Sequence, residues 1–163
     1  MLNRVAAIVV GAGALAAAAS AQPVKRVYQG DFPIAAAVEV PAGSTLVYVS
    51  GQVPPVADPK APPGSLAAFG NTETQTIGVI RRIDEVLKAQ GLGLGDVVMM
   101  RVFLVGDPAL GGKMDFAGMM KGYSQFFGTP AQPNKPARST VQVAGLVAPG
   151  FLVEIEVTAV RAR

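Results

Sequence analysis

The sequence predicts an α+β fold: a two-layer sandwich of order ββαβαββ, with one mixed sheet carrying two helices on one face. Three observations carry that reading. Two segments repeat their apolar residues at helical spacing, five others alternate or run apolar over strand length, and Gly and Pro punctuate the joins. The chain has 163 residues and no internal repeat, which suits a single domain once its first 21 residues are set aside.

Each element has its own grounds. Residues 22–34 are mixed and lead into the domain as an arm. Residues 35–40 and 45–50 read as strand, turn, strand, with Pro41 and Gly43 in the turn. Residues 53–70 hold Pro54, Pro55, Pro59, Pro62 and Pro63, so they form a long irregular loop. From 71 to 90 the pattern is helical: Thr72 and Gln75 fit a capping box, and Gly91 is a C-terminal stop. Ile77, Ile80, Ile83 and Leu87 make the apolar stripe, with Val86 beside it and an Asp84–Lys88 pair off it. Gly91-Leu92-Gly93-Leu94-Gly95 leaves a helix and opens a strand. A dinucleotide-binding loop does the reverse, so this is a turn.

Residues 97–105 are apolar apart from Arg101, as a central strand is. Phe116, Met119, Met120, Tyr123, Phe126 and Phe127 form a second amphipathic stripe closed by Gly128, a core face rather than a cofactor box. Residues 138–143 and 151–160 are the last two strands. Their short connection predicts antiparallel pairing, which puts Arg138, Thr140 and Gln142 on the helix-free face beside Glu154, Glu156 and Thr158. That face is too polar for a monomer's core and too regular for plain wet surface.

The N-terminus has a separate reading. Arg4 precedes an uncharged run over residues 5–19, which ends in Ala19-Ser20-Ala21. A basic start, a short apolar stretch and small residues at the cleavage positions make a secretory signal peptide. The run falls short of the ~20 residues that span a bilayer. Export to the periplasm or beyond is therefore expected, with residues 22–163 as the mature domain and no stable membrane insertion after cleavage. Loss of Arg4 lowers the net charge from +3 to +2. With only Lys25-Arg26 and Arg81-Arg82 as basic pairs, this is no nucleic-acid footprint.

Composition narrows the chemistry. There is no Cys, no His and no Trp. Ser-His-Asp and Cys-His catalysis are excluded, as are disulfides and thiolate metal sites. The domain must be held by packing, alone or with oligomerisation. Arg138 is the leading candidate for chemistry, because a guanidinium fixed on a strand binds a carboxylate bidentately. Glu154 or Glu156 would orient it or hold an attacking water. The same residues also read as a cross-strand surface ion pair worth about 0.2–1 kcal/mol. As neighbours on one strand face, the two glutamates do not by themselves flank a substrate.

Several motifs in order sharpen this. Ser50-Gly51-Gln52-Val53-Pro54, Gln75-Thr76, Asp96-Val97-Val98, Val102-Phe103-Leu104, Tyr123 with Phe126-Phe127, Pro136-Ala137-Arg138-Ser139 and the run from Val153 to Val160 resemble the RidA family, also called YjgF/YER057c/UK114. The resemblance implies a chorismate-mutase-like fold, a homotrimer, and ligand sites in clefts between subunits. It implies an enamine/imine deaminase that hydrolyses 2-imino acids to 2-keto acids and ammonia, with no cofactor and no metal. Carried over, Arg138 binds the substrate carboxylate, Glu154 places the water, and Ser50, Gly51 and Thr140 line the pocket.

Three positions depart from the family pattern. Phe32-Pro33-Ile34-Ala35-Ala36 stands where the family has Gly-Pro-Tyr-Ser-Gln, Met120 where deaminases carry Asn, and Thr140 where Cys or Ser is common. Those changes make the pocket more apolar, to suit a bulkier ligand or at the expense of the reaction. Residues 53–70 also exceed the usual loop length and are placed to cover the cleft. A non-catalytic protein binding small carboxylates is the alternative. A ribonuclease or translation inhibitor is opposed by the low charge and by export.

Overall fold

The structure is a computed structural model that describes residues 22–162. The expected signal peptide, residues 1–21, lies outside the described residues. Six strands form one sheet: β1 Lys25–Tyr28, β2 Ala35–Glu39, β3 Thr45–Gln52, β4 Val97–Val105, β5 Ala137–Val143 and β6 Val153–Arg161, in the order β1-β2-β5-β4-β6-β3. β5 runs parallel to β2 and β4, and the other pairs are antiparallel, so the sheet is mixed as predicted. The helices are α1 Leu66–Phe69, α2 Thr72–Ala89 and α3 Phe116–Tyr123. The arm contributes the unexpected strand β1. It is pinned by Arg26, whose guanidinium donates to the carbonyls of Gly95, Val97 and Lys135 at 2.9–3.2 Å.

Neither pair of strands joined by a short connection lies side by side, so the predicted pairing of the last two strands does not form. The turn between β2 and β3 exists, with Ser44 N–H donating to the Pro41 carbonyl and Gly43 at φ +81°. Yet β3 pairs with β6, far across the sheet from β2. β5 and β6 do not pair either, because β4 lies between them. The β4–α3–β5 crossover sets β5 parallel to β4, and β6 takes β4's other edge. Gln75 of α2 holds the returning chain there. Its side-chain amide donates to the Gly150 carbonyl at 2.9 Å and accepts from Leu152 N–H at 2.7 Å. Gln75 is thus not a capping-box partner; Asn71 caps α2 by accepting from Thr74 N–H at 2.9 Å.

α2 and α3 cover one face of the sheet. Val79, Ile80, Ile83 and Leu87 of α2 pack with Met119, Tyr123 and Phe127 on Met100, Val102 and Leu104 of β4 and on Val153, Ile155 and Val157 of β6. Such burial is worth about 1.5–3 kcal/mol per large side chain. Of the predicted α2 stripe, Ile77 lies at the margin and Val86 is exposed. Gly122 brings α3 onto α2, since a β-carbon there would lie 2.9 Å from Thr76 Cβ. α3 ends at Tyr123, short of the predicted stop. Tighter i→i+3 turns then carry the chain to Phe127, which still stacks on Tyr123 at 4.8 Å. The 53–70 segment is not wholly irregular, because α1 lies in it, and it packs on α2 through Pro55 against Gly78.

Candidate functional site

Side chains alternate along β6 as the sequence predicts. Val153, Ile155, Val157 and Ala159 are buried, while Glu154, Glu156 and Thr158 face the open side. β5 has the opposite phase to the one expected. Arg138, Thr140 and Gln142 are in register with Met100, Val102 and Leu104, all three in the core. Residues in register across a ladder point the same way. Arg138, Thr140 and Gln142 therefore lie on the helix-covered face, and Glu154 and Glu156 on the other. Arg138 forms no ion pair with either glutamate. The pair that does form is Arg101–Glu156, at 2.6 Å on the open face.

Around Arg138 the described residues supply a cation with no anion. Its guanidinium carbon lies 4.3 Å from the Tyr123 ring centroid, 5.9 Å from Phe32 and 6.0 Å from Phe116. One guanidinium nitrogen is 3.1 Å from Met120 Sδ and another 4.0 Å from Met119 Sδ. Thioethers are weak acceptors and aromatic faces offer only cation–π attraction, so neither replaces a carboxylate. Burial pulls the Arg138 guanidinium below its ordinary value, an effect that the neighbouring Tyr123 opposes. Burial likewise holds the Tyr123 phenol above its usual range, against the pull of Arg138. The phenol donates to the Pro33 carbonyl at 2.8 Å, so the ring is a fixed floor. Two residues along the strand, Thr140 Oγ1 is buried without a hydrogen-bond partner. Gln142 secures the approach to α3, accepting from Met114 N–H and donating to the Gly112 carbonyl, both at 2.9 Å.

The open face holds the other predicted residues. β3 is irregular between Val49 and Gln52, which brings Gly51 under Glu154. A β-carbon on Gly51 would collide with Glu154 Oε1. Ser50 lines a concavity of about 220 Å³ with Tyr48, Met99, Arg101, Glu156 and Thr158. Among the described residues no group of three or more Cys, His, Asp or Glu is placed to hold a metal ion.

The six predicted site residues thus form two sets, Arg138 with Met120 and Thr140 on one face, and Glu154 with Ser50 and Gly51 on the other. Sequence reasoning missed Phe32, Phe116 and Tyr123 as neighbours of Arg138. The stripe on α3 contained two of them, but its period marks core and site alike. It also read Arg101 only as the break in an apolar strand.

A layered α+β domain with an arginine presented beneath a covering helix defines the class. Residues 33–161 match the family model described as endoribonuclease L-PSP. The chain belongs to this family, the RidA or YjgF/YER057c/UK114 family. A RutC family protein of Saccharolobus solfataricus is 40% identical over 114 residues, covering 70% of this chain and 78% of that protein. The putative reactive intermediate deaminase TdcF of Escherichia coli is 33% identical, over 72% of this chain and 80% of its own. The crystal structure of E. coli TdcF with bound serine superposes with a TM-score of 0.55 at 33% identity, over 75% of this chain and 84% of that one. A Mycobacterium tuberculosis member of the YjgF/YER057c/UK114 family gives 0.51 at 28% identity, over 84% and 98%. These similarities support a RidA-type function at that level.

Proposed function

We propose that this protein is an enamine/imine deaminase that hydrolyses 2-imino acids to 2-keto acids and ammonia. The observation that carries the reading is Arg138: among the described residues it is a half-buried cation without an anion, beside a buried hydroxyl, Thr140, without a partner. Buried polar groups are ordinarily satisfied, and a ligand carboxylate satisfies both of these. The name of the E. coli relative, a reactive intermediate deaminase, points the same way. An imine carbon is already electrophilic, so an oriented water and a carboxylate base suffice. No cofactor and no metal enter the scheme.

One chain does not unite Arg138 with Glu154, because the sheet separates them. We propose that a homotrimer does so, each site joining Arg138 and Thr140 of one protomer to Glu154 and Ser50-Gly51 of its neighbour. Leu46, Tyr48 and Val141 are exposed apolar side chains that such an interface would cover. The ligand carboxylate seats on Arg138, and Glu154 takes a proton from water as it adds to the imine carbon and the C=N electron pair passes to nitrogen. Glu154 then passes protons from the added oxygen to that nitrogen, so that the C–N bond breaks and ammonia leaves the keto acid.

The test is release of ammonia and keto acid from freshly generated imino acids by wild type and Arg138→Ala. The variant should lose roughly a hundredfold in kcat/KM; equal rates overturn the assignment. A second reading, non-catalytic carboxylate binding, is favoured by the Met120 thioether against the guanidinium. Calorimetric binding of keto acids without turnover of any imine would select it. Export to the periplasm or medium is proposed on the strength of residues 1–21. A mature N-terminus at Gln22 in the exported fraction supports it, and an intact Met1 in the cytoplasm contradicts it.

A further inference from the structure

We infer that the Arg138 site takes monocarboxylates with a bulky apolar side chain, and that Phe32 and Phe116 select them. This rests on the assignment of Arg138 as the carboxylate seat. The three aromatic rings near the guanidinium differ in kind. Tyr123 is fully buried, stacked on Phe127 and hydrogen-bonded to Pro33, so it belongs to the fold. Phe32 and Phe116 are 47% and 36% exposed, with their ring centroids 5.9 and 6.0 Å from the guanidinium carbon. A ligand anchored on Arg138 would lay its side chain against those two rings and the Met120 thioether.

The chemistry of the rim sets the class. Aromatic and thioether surface rewards ligand carbon and offers little to a second charge or a hydroxyl. On this wall the Thr140 hydroxyl is buried without a hydrogen-bond partner among the described residues. Phe32 enters from the arm and Phe116 from the first turn of α3, so two independent elements form the two sides. Neither ring contributes to the buried core cluster. Their truncation is therefore compatible with an intact fold.

Calorimetry with three 2-keto acids as product probes tests the inference: pyruvate, 4-methyl-2-oxopentanoate and phenylpyruvate. Wild type should bind the two larger acids roughly tenfold more tightly than pyruvate. Phe116→Ala and Phe32→Ala should each cut that preference severalfold, with pyruvate affinity falling less than that of the larger acids, and Phe116→Leu should restore part of it. Thermal unfolding of each variant checks that it is folded. Arg138-dependent binding with no preference for size, or a preference that survives both alanine variants, overturns the inference and leaves the carboxylate seat standing. Absence of Arg138-dependent binding by any of the three acids overturns both.

Discussion

On the open face of the sheet Glu156 has its cation, with Arg101 at 2.6 Å. On the covered face Arg138 has two thioethers and three aromatic rings and, among the described residues, no anion. The two arginines are near neighbours on adjacent strands, since β4 and β5 pair in register. One is a self-contained surface pair, which contributes little to stability. The other carries a desolvation cost that its own chain does not repay. A satisfied charge fits a structural role, and an unsatisfied, half-buried one is a site candidate.

The largest contrast lies within β6. Ile155, fully buried, should cost about 2–5 kcal/mol on truncation to Ala, while Glu156→Ala next to it should cost under about 1 kcal/mol. Urea unfolding measures both; comparable losses would break the distinction between the faces. Gly51→Ala comes next, because its new β-carbon displaces only the mobile end of Glu154. Deaminase activity should fall roughly tenfold with the melting temperature nearly unchanged, read by assay and thermal scan on the same sample.

Tyr123→Phe probes the floor beneath Arg138. Losing the bond to Pro33 should cost about 1 kcal/mol. The folded phenol titrates above its unfolded value, so its contribution is complete below about pH 10 and is lost as pH rises further. Wild-type stability should decline across that alkaline range, and Tyr123→Phe should decline less. A double-mutant cycle on Arg101 and Glu156 should give the smallest effect. Its coupling should be about 0.2–1 kcal/mol, shrinking in high salt because both side chains are partly exposed.

Much of the fold was legible because period and punctuation are local. The α2 stripe, the Gly91 stop, the Asp84–Lys88 pair at 2.6 Å and the alternation of β6 all follow from neighbours in sequence. The phase of one strand against another is not local. Placing β5 beside β6 instead of β4 reversed every side chain on it, since strand residues alternate with a period of two. Arg138 was thus assigned to the wrong face. Nothing in residues 138–143 encodes the β4–α3–β5 crossover, and the Gln75 anchor that holds the start of β6 on β4's other edge lies more than sixty residues away.

The central claim is that the two half-sites meet between protomers. Coexpression of Arg138→Ala with Glu154→Gln, each inactive alone, tests it most directly. In randomly mixed trimers about a quarter of the interfaces pair an intact Arg138 with an intact Glu154. Activity should return to about that fraction of wild type in the mixed oligomer. A mixture as inactive as its components, or a chain that sediments as a stable monomer, would contradict the account.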